Sequence, residues 1–349
     1  MDKTKNPSRN PWIELCRFTA AAVLMLHHTE KLGGERIAWG GWIFVEYFFI
    51  LSGYFMTRHF EKTEVKATDL PGTALRYTLK KLLRILPFAA AGIGIDLIES
   101  FASGEIPLAD LHKVIFELPG HLLLLKGLPI LSYDLNAPLW YLTAILLATP
   151  CLTLLQLRFR SFYKHLACWV LPLLIYSVMH HFNGTVQYWG EFWSLNCMMR
   201  GFAGMMTGSL LYYLSEWLKA KQITGDMRRF MTALEILCFA LLVFLTVTDN
   251  CMTYFVWCMT LIMTSLCITF SGQELICARM PGWINYLGKL SLPVYCLHRP
   301  IYDTVCQLCS GVPFEIRLWI GIGGTLAVSV LLLLAVEKIK GIRRKKTSL

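Results

Sequence analysis

The sequence predicts an all-α fold: a polytopic membrane bundle of about ten transmembrane helices with both termini in the cytoplasm. Three observations carry that expectation. The chain of 349 residues is 55% hydrophobic and 16% charged, with a mean hydropathy of +0.51, whereas a soluble domain carries about 25% charged residues. Its apolar residues gather into runs long enough to cross a bilayer, which takes about 20 residues. Its lysines and arginines gather between those runs, mainly on alternate connections.

Ten runs meet the length requirement: residues 12–30, 39–58, 82–100, 138–157, 165–182, 194–217, 231–249, 252–271, 284–309 and 315–337. Residues 101–137 make the longest connection. Its apolar stretch from His121 to Leu131, broken by Gly127 and Pro129 and preceded by Gly120, is too short to cross, so a re-entrant or interfacial segment is expected. With the N-terminus inside, 24 of the 33 basic residues fall on cytoplasmic segments, and an eleventh span would spoil that bias. No internal repeat or long soluble stretch is present, so residues 1–349 are expected to form one domain. Gly204 and Gly208, four apart in the sixth run, are expected to let two helices approach closely.

The net charge of +10 does not point to nucleic acid, because the basic residues sit in short connections rather than along one aromatic-interleaved stripe. The expected surroundings are a lipid bilayer. The 12 cysteines are scattered, mostly inside apolar runs, so no disulfide framework is expected. The single C-x-x-C, Cys306 to Cys309, fits packing better than metal or redox chemistry. Residues 1–11 are polar and the run that follows lacks a small-residue cleavage site, so it reads as the first span rather than a signal peptide. His27 and His28 point roughly 100° apart on a helix and are poorly placed to share a metal ion, so no metal site is expected.

Ionisable residues inside spans mark a functional interior. Arg17 and His28 are eleven residues apart, close to three turns, which puts both on one face about 16 Å apart along the axis. Two readings stay open: a ligand path from the cytoplasm ending at His28, or an Arg17 that reaches to lipid phosphate beside an interfacial His28. Glu46 lies deep among apolar residues and needs a partner; a histidine on the neighbouring helix, oriented by it as a base, is expected. Ser52 has no base implied beside it, so packing through Ser52-Gly53 is favoured over a nucleophile. Arg76, Lys80, Lys81 and Arg84 recur at helical spacing before the third span. They form either a positive-inside anchor or a phosphate-binding ridge at a cavity mouth.

Taken in order, these motifs resemble those of the integral-membrane acyltransferase 3 family. Arg17 and His28 match its first-span pair. "EYFFILSGYFMT" is similar to its acidic-x-Phe-Phe-x-x-Ser-Gly-Phe stretch, with Glu46 where aspartate is usual and Tyr54 in place of phenylalanine. "KLLRILP" resembles its basic-x-x-Arg-x-x-Pro element. "APLWYLTAIL" resembles its fourth-span Leu-Trp-x-Leu motif, which contains Trp140. "LGKLSLPVYCLHRPI" resembles its ninth-span Ser-x-x-x-Tyr-x-x-His-x-Pro motif, which contains His298. The resemblance runs from about residue 11 to 305. Ile145 stands where many members carry a glutamate, and no stretch supplies the fused esterase-like domain that some members have.

The resemblance implies a multi-pass protein of a bacterial cytoplasmic membrane. It implies O-acyl transfer from acyl-coenzyme A, most often acetyl-coenzyme A, to a hydroxyl of a cell-surface glycan or lipid-linked saccharide. On that reading His28 is the general base and Glu46 orients it. Lys81 and Arg84 hold the coenzyme's phosphates, and Arg17 guides the coenzyme or neutralises charge along its arm. His298 either shapes the acceptor site or is a packed histidine. Arg200, near the outer end of the sixth span, either meets an anionic acceptor or pairs with Glu191 or Asp96, the second being favoured. The aromatic segment "FNGTVQYWGEFW" (182–193) is expected to be an outer interfacial belt. The rival reading is an exporter of polysaccharide or lipid-linked sugar, in which positions 81 and 84 tolerate neutral residues. Acceptor, acyl chain and oligomeric state, a homo-oligomer included, are left open.

Overall fold

A computed structural model describes residues 10–126, 128–183, 186, 193–277 and 280–347, and its regular structure is entirely helical. Eleven helices of twelve residues or more organise the described residues. They are α1 (Pro11–His27), α2 (Ile43–Glu61), α3 (Leu70–Ser103), α4 (Leu111–Leu122), α5 (Trp140–Arg158) and α6 (Cys168–Asn183). After these come α7 (Trp193–Lys219), α8 (Gly225–Thr248), α9 (Phe255–Ser271), α10 (Ile284–Leu308) and α11 (Phe314–Thr347). Ten of them coincide with the ten apolar runs; α4 is the exception. Five segments are long and apolar enough by themselves to cross a membrane: α3, α5, α6 with the turns before it, α8 and α11. Helix α9 is apolar but shorter. The other four, α1, α2, α7 and α10, carry the ionisable residues Arg17, Glu46, Arg200 and His298.

Local sequence explains the ends. The Asn10 side chain caps α1 by accepting from Ile13 N at 3.1 Å, and Pro11 occupies the first turn, where its missing N–H is harmless. Helix α3 ends at Gly104, whose φ of 78° is the left-handed conformation that closes a helix without Cβ strain. At 34 residues it is about 51 Å long. A hydrocarbon core is about 30 Å thick, so the basic first third of α3 projects beyond it.

In the long connection between α3 and α5, the short helix α4 lies partly exposed on the surface. Val114 and His121 are buried, while Leu111, Ile115 and Phe116 are exposed. Glu117 accepts backbone N–H bonds from Ser132 and Tyr133 at 2.9 and 3.3 Å. Burial opposes its ionisation, but those donors outweigh it and hold the Glu117 carboxyl below its ordinary value.

Helix α5 is central, with 72% of its apolar window inside the protein against 22% for α11 at the periphery. Helices α2 and α7 cross closely through glycines. A Cβ on Gly208 would stand 2.0 Å from the Ile50 carbonyl oxygen, and one on Gly204 would stand 2.5 Å from Phe49 Cβ. Gly53 on α2 answers them, since a Cβ there would fall 1.9 Å from the Met205 carbonyl oxygen. Backbone cannot yield as a side-chain tip does. Gly53→Ala is therefore expected to destabilise the protein by about 1–3 kcal/mol, read as a lower melting temperature in detergent. Gly94→Ala meets nothing within 4 Å and is the matched control, expected to be neutral or stabilising.

Candidate active site

The site is built on α10, which packs against α1, α3 and α11. Pro300 inside α10 lacks an N–H, which frees the carbonyl four residues earlier, that of Cys296. Asn136, just before α5, donates its Nδ2 to that carbonyl at 2.8 Å, and Gly92 on α3 leaves the room: a Cβ there would sit 2.3 Å from the same oxygen. Asn136 itself adopts φ 52°, and its backbone N donates to Asp96 at 2.8 Å. One proline thus ties α3, α5 and α10 together one turn from His298.

Arg17 and His28 both face α10, as their spacing predicts. Arg17 Nη2 lies 3.3 Å from Ser291 Oγ, and its Nη1 reaches Glu14 at 3.2 Å. Eleven residues on, the His28 ring lies 5.1 Å from the His298 ring. The His28 side chain is 23% exposed. His298 is buried, and its Nδ1 donates to the Tyr295 carbonyl at 2.8 Å. Because a carbonyl only accepts, Nδ1 carries the proton and Nε2 keeps its lone pair. That Nε2 is buried and has no hydrogen-bond partner among the described residues. Tyr295 extends the wall towards α5, its ring 5.4 Å from that of Tyr141, whose hydroxyl is hydrogen-bonded to Ser52. Ser52 is therefore engaged with a phenol rather than with a base. His27 points elsewhere and donates its Nδ1 to the Ala38 carbonyl at 2.8 Å.

Glu46 requires a correction. It does not orient His28. Its Oε1 accepts from Arg200 Nε at 2.7 Å and its Oε2 from the Tyr176 hydroxyl at 2.6 Å, so its partners come from α7 and α6. The same contacts correct the expected partner of Arg200, which is Glu46 and not Asp96; Glu191 lies outside the described residues. The Arg200 guanidinium also sits 4.9 Å from the Trp140 ring and 5.5 Å from the Trp42 ring. This gives Trp140 a cation–π role beside the ion pair. The carboxylate beside His28 is that of Glu30, whose Oε1 stands 3.7 Å from His28 Nδ1.

On α3 the basic ridge divides. Arg76 is paired with Asp69, and Lys80 and Arg84 are exposed. Lys81 turns inward, its Nζ buried and without a hydrogen-bond partner among the described residues. Burial pushes the Lys81 amine down to about 7; an amine so placed suits an anionic ligand that would favour its charged form, since buried donors are otherwise almost always satisfied. Most of the aromatic segment 182–193 lies outside the described residues.

Glu30 and its partner Arg36 escaped the sequence reading. Their only signal was a carboxylate two residues after His28 in "HHTEK".

The sequence model of the family described as an acyltransferase domain matches residues 10–334. No curated protein and no solved structure matches the chain.

Proposed function

We propose that this chain, which belongs to the acyltransferase 3 family, moves an acetyl group from acetyl-coenzyme A to a hydroxyl of a cell-envelope glycan or lipid-linked saccharide. The ten helices that coincide with apolar runs would each cross the membrane, leaving both termini in the cytoplasm and the start of α3 at the inner face. The observation that carries the reading is that Arg17 and His28, three turns apart on α1, both engage α10. One helix pair thus presents a cation near the inner end and an imidazole near the outer end.

In the transfer, His28 takes the proton from the acceptor hydroxyl as its oxygen attacks the thioester carbonyl. The tetrahedral intermediate collapses, the carbon–sulfur bond breaks, and the coenzyme thiolate leaves with the proton that the imidazolium returns. Lys81, whose buried Nζ has no hydrogen-bond partner among the described residues, and Arg84 would hold the coenzyme's phosphates. Arg17 would stabilise charge along the arm.

The test is binding and kinetics with acetyl-coenzyme A. A charge-assisted hydrogen bond is worth about 1.5–3 kcal/mol, and about 1.4 kcal/mol is tenfold. Lys81→Ala/Arg84→Ala is therefore expected to raise the KM for acetyl-coenzyme A about tenfold or more with kcat nearly unchanged. An unaltered KM removes the phosphate role and favours an exporter.

A further inference from the structure

We propose that Glu30 is a positioning residue for His28 and that Arg36 holds Glu30 in place. This rests on the reading of His28 as the base. Helix α1 stops at His27, and the chain turns through a short 3₁₀ segment (Thr29–Leu32) to Gly33, whose φ of 75° closes the turn. Arg36 then comes back over Glu30 with two hydrogen bonds, Nη2 to Oε1 at 2.9 Å and Nε to Oε2 at 3.2 Å. The fork fixes the plane of the carboxylate. Its Oε1 points at His28 Nδ1, 3.7 Å away. Arg36 is steadied in turn by the Trp39 ring, 5.5 Å from its guanidinium.

The loop does not need this ion pair to close. Thr29 Oγ1 accepts from Ile37 N at 3.0 Å and lies 2.9 Å from the Glu35 carbonyl, Gly33 N donates to the Glu30 carbonyl at 3.0 Å, and His27 ties to Ala38. A half-exposed pair of this kind contributes about 0–1 kcal/mol. What it supplies is direction. A carboxylate at Nδ1 keeps the proton on that nitrogen and leaves the Nε2 lone pair for the acceptor hydroxyl. Besides Glu30 and Arg36, the charged or titratable groups against His28 among the described residues are His27, His298 and Arg299, and none of these is a carboxylate.

The experiment uses the full chain in membrane vesicles and follows label from [14C]acetyl-coenzyme A into envelope material. Glu30→Gln is expected to lower kcat roughly 10- to 100-fold with the KM for acetyl-coenzyme A unchanged, and Glu30→Asp to recover part of the loss. A purely structural residue would instead change the amount of inserted protein. A second readout needs no transfer: carbethoxylation of His28 by diethyl pyrocarbonate at mildly alkaline pH, followed by peptide mass spectrometry. It should be slower in Glu30→Gln than in the wild type. Wild-type kcat, or equal carbethoxylation rates, in Glu30→Gln overturns the proposal. An active His28→Ala would instead overturn the base assignment on which it stands.

Discussion

His28→Ala is expected to abolish acetyl transfer, lowering kcat by about 10²- to 10⁴-fold, while the protein still inserts and folds. The first half follows from chemistry. His298 is no ready substitute: its Nδ1 is committed to the Tyr295 carbonyl, and its Nε2, though it keeps a lone pair, is buried, whereas the His28 side chain is partly exposed. The second half follows from packing. The His28 side chain is 23% exposed, caps α1 through its backbone, and touches its neighbours mainly by ring contact with His27 and His298. Such contacts are worth about 0.5–1.5 kcal/mol, too little to unfold a bundle of this size. His27→Ala is the informative neighbour. It removes a buried donor to Ala38, so its loss should appear as reduced yield with normal activity per folded molecule. Label transfer per mole of purified, correctly migrating protein separates the two. Wild-type turnover in His28→Ala would remove the base assignment.

The sequence made some of this legible and hid the rest for a physical reason. Helical periodicity is local, so the common face of Arg17 and His28 could be read from their spacing, and both side chains do meet α10. The positions of ten helices could be read from runs of apolar residues, and the close approach at Gly204 and Gly208 from their spacing of four. Pairings between distant segments leave no such trace. Glu46 and Arg200 are 154 residues apart, and nothing in either neighbourhood names the other. The result was a wrong partner for both. Glu30 was missed for a different reason. Its position two residues after His28 looked like the trailing edge of a span, whereas the chain turns there and brings Arg36 back onto it.

The same geometry explains which helices fall short of the plain apolar criterion. Helices α1, α2, α7 and α10 carry the ion pairs and histidines. In lipid those groups would be costly, so the helices that bear them are the ones wrapped by others. The strongly apolar windows of α8 and α11 stand at the outside, with 33% and 22% of them buried. Apolar composition alone does not mark the outside, however, since α5 meets the criterion and is central, with 72% of its window buried.

Glu46→Ala should be the most destabilising single substitution at the site. Both partners are withdrawn from solvent, Glu46 with 0% and Arg200 with 3% of the side chain exposed. Removing the carboxylate leaves a buried guanidinium uncompensated between Trp42 and Trp140, which costs about 3–5 kcal/mol. It also releases the Tyr176 hydroxyl and with it the tie between α2 and α6. Glu46→Gln keeps the shape and one acceptor oxygen, so it should lie between alanine and the wild type. The decisive variant is Glu46→Leu with Arg200→Met. Replacing a whole buried pair by apolar residues of similar volume is often neutral, so the double variant should recover most of the melting temperature lost in Glu46→Ala. Thermal unfolding in detergent gives the stabilities, and label transfer per folded molecule gives the chemistry. A pair that only binds helices together predicts that the double variant regains activity along with stability. Regained stability with no activity would instead place Glu46 or Arg200 among the groups that touch the substrate, and an unchanged melting temperature in Glu46→Ala would mean that the ion pair does not hold these helices together.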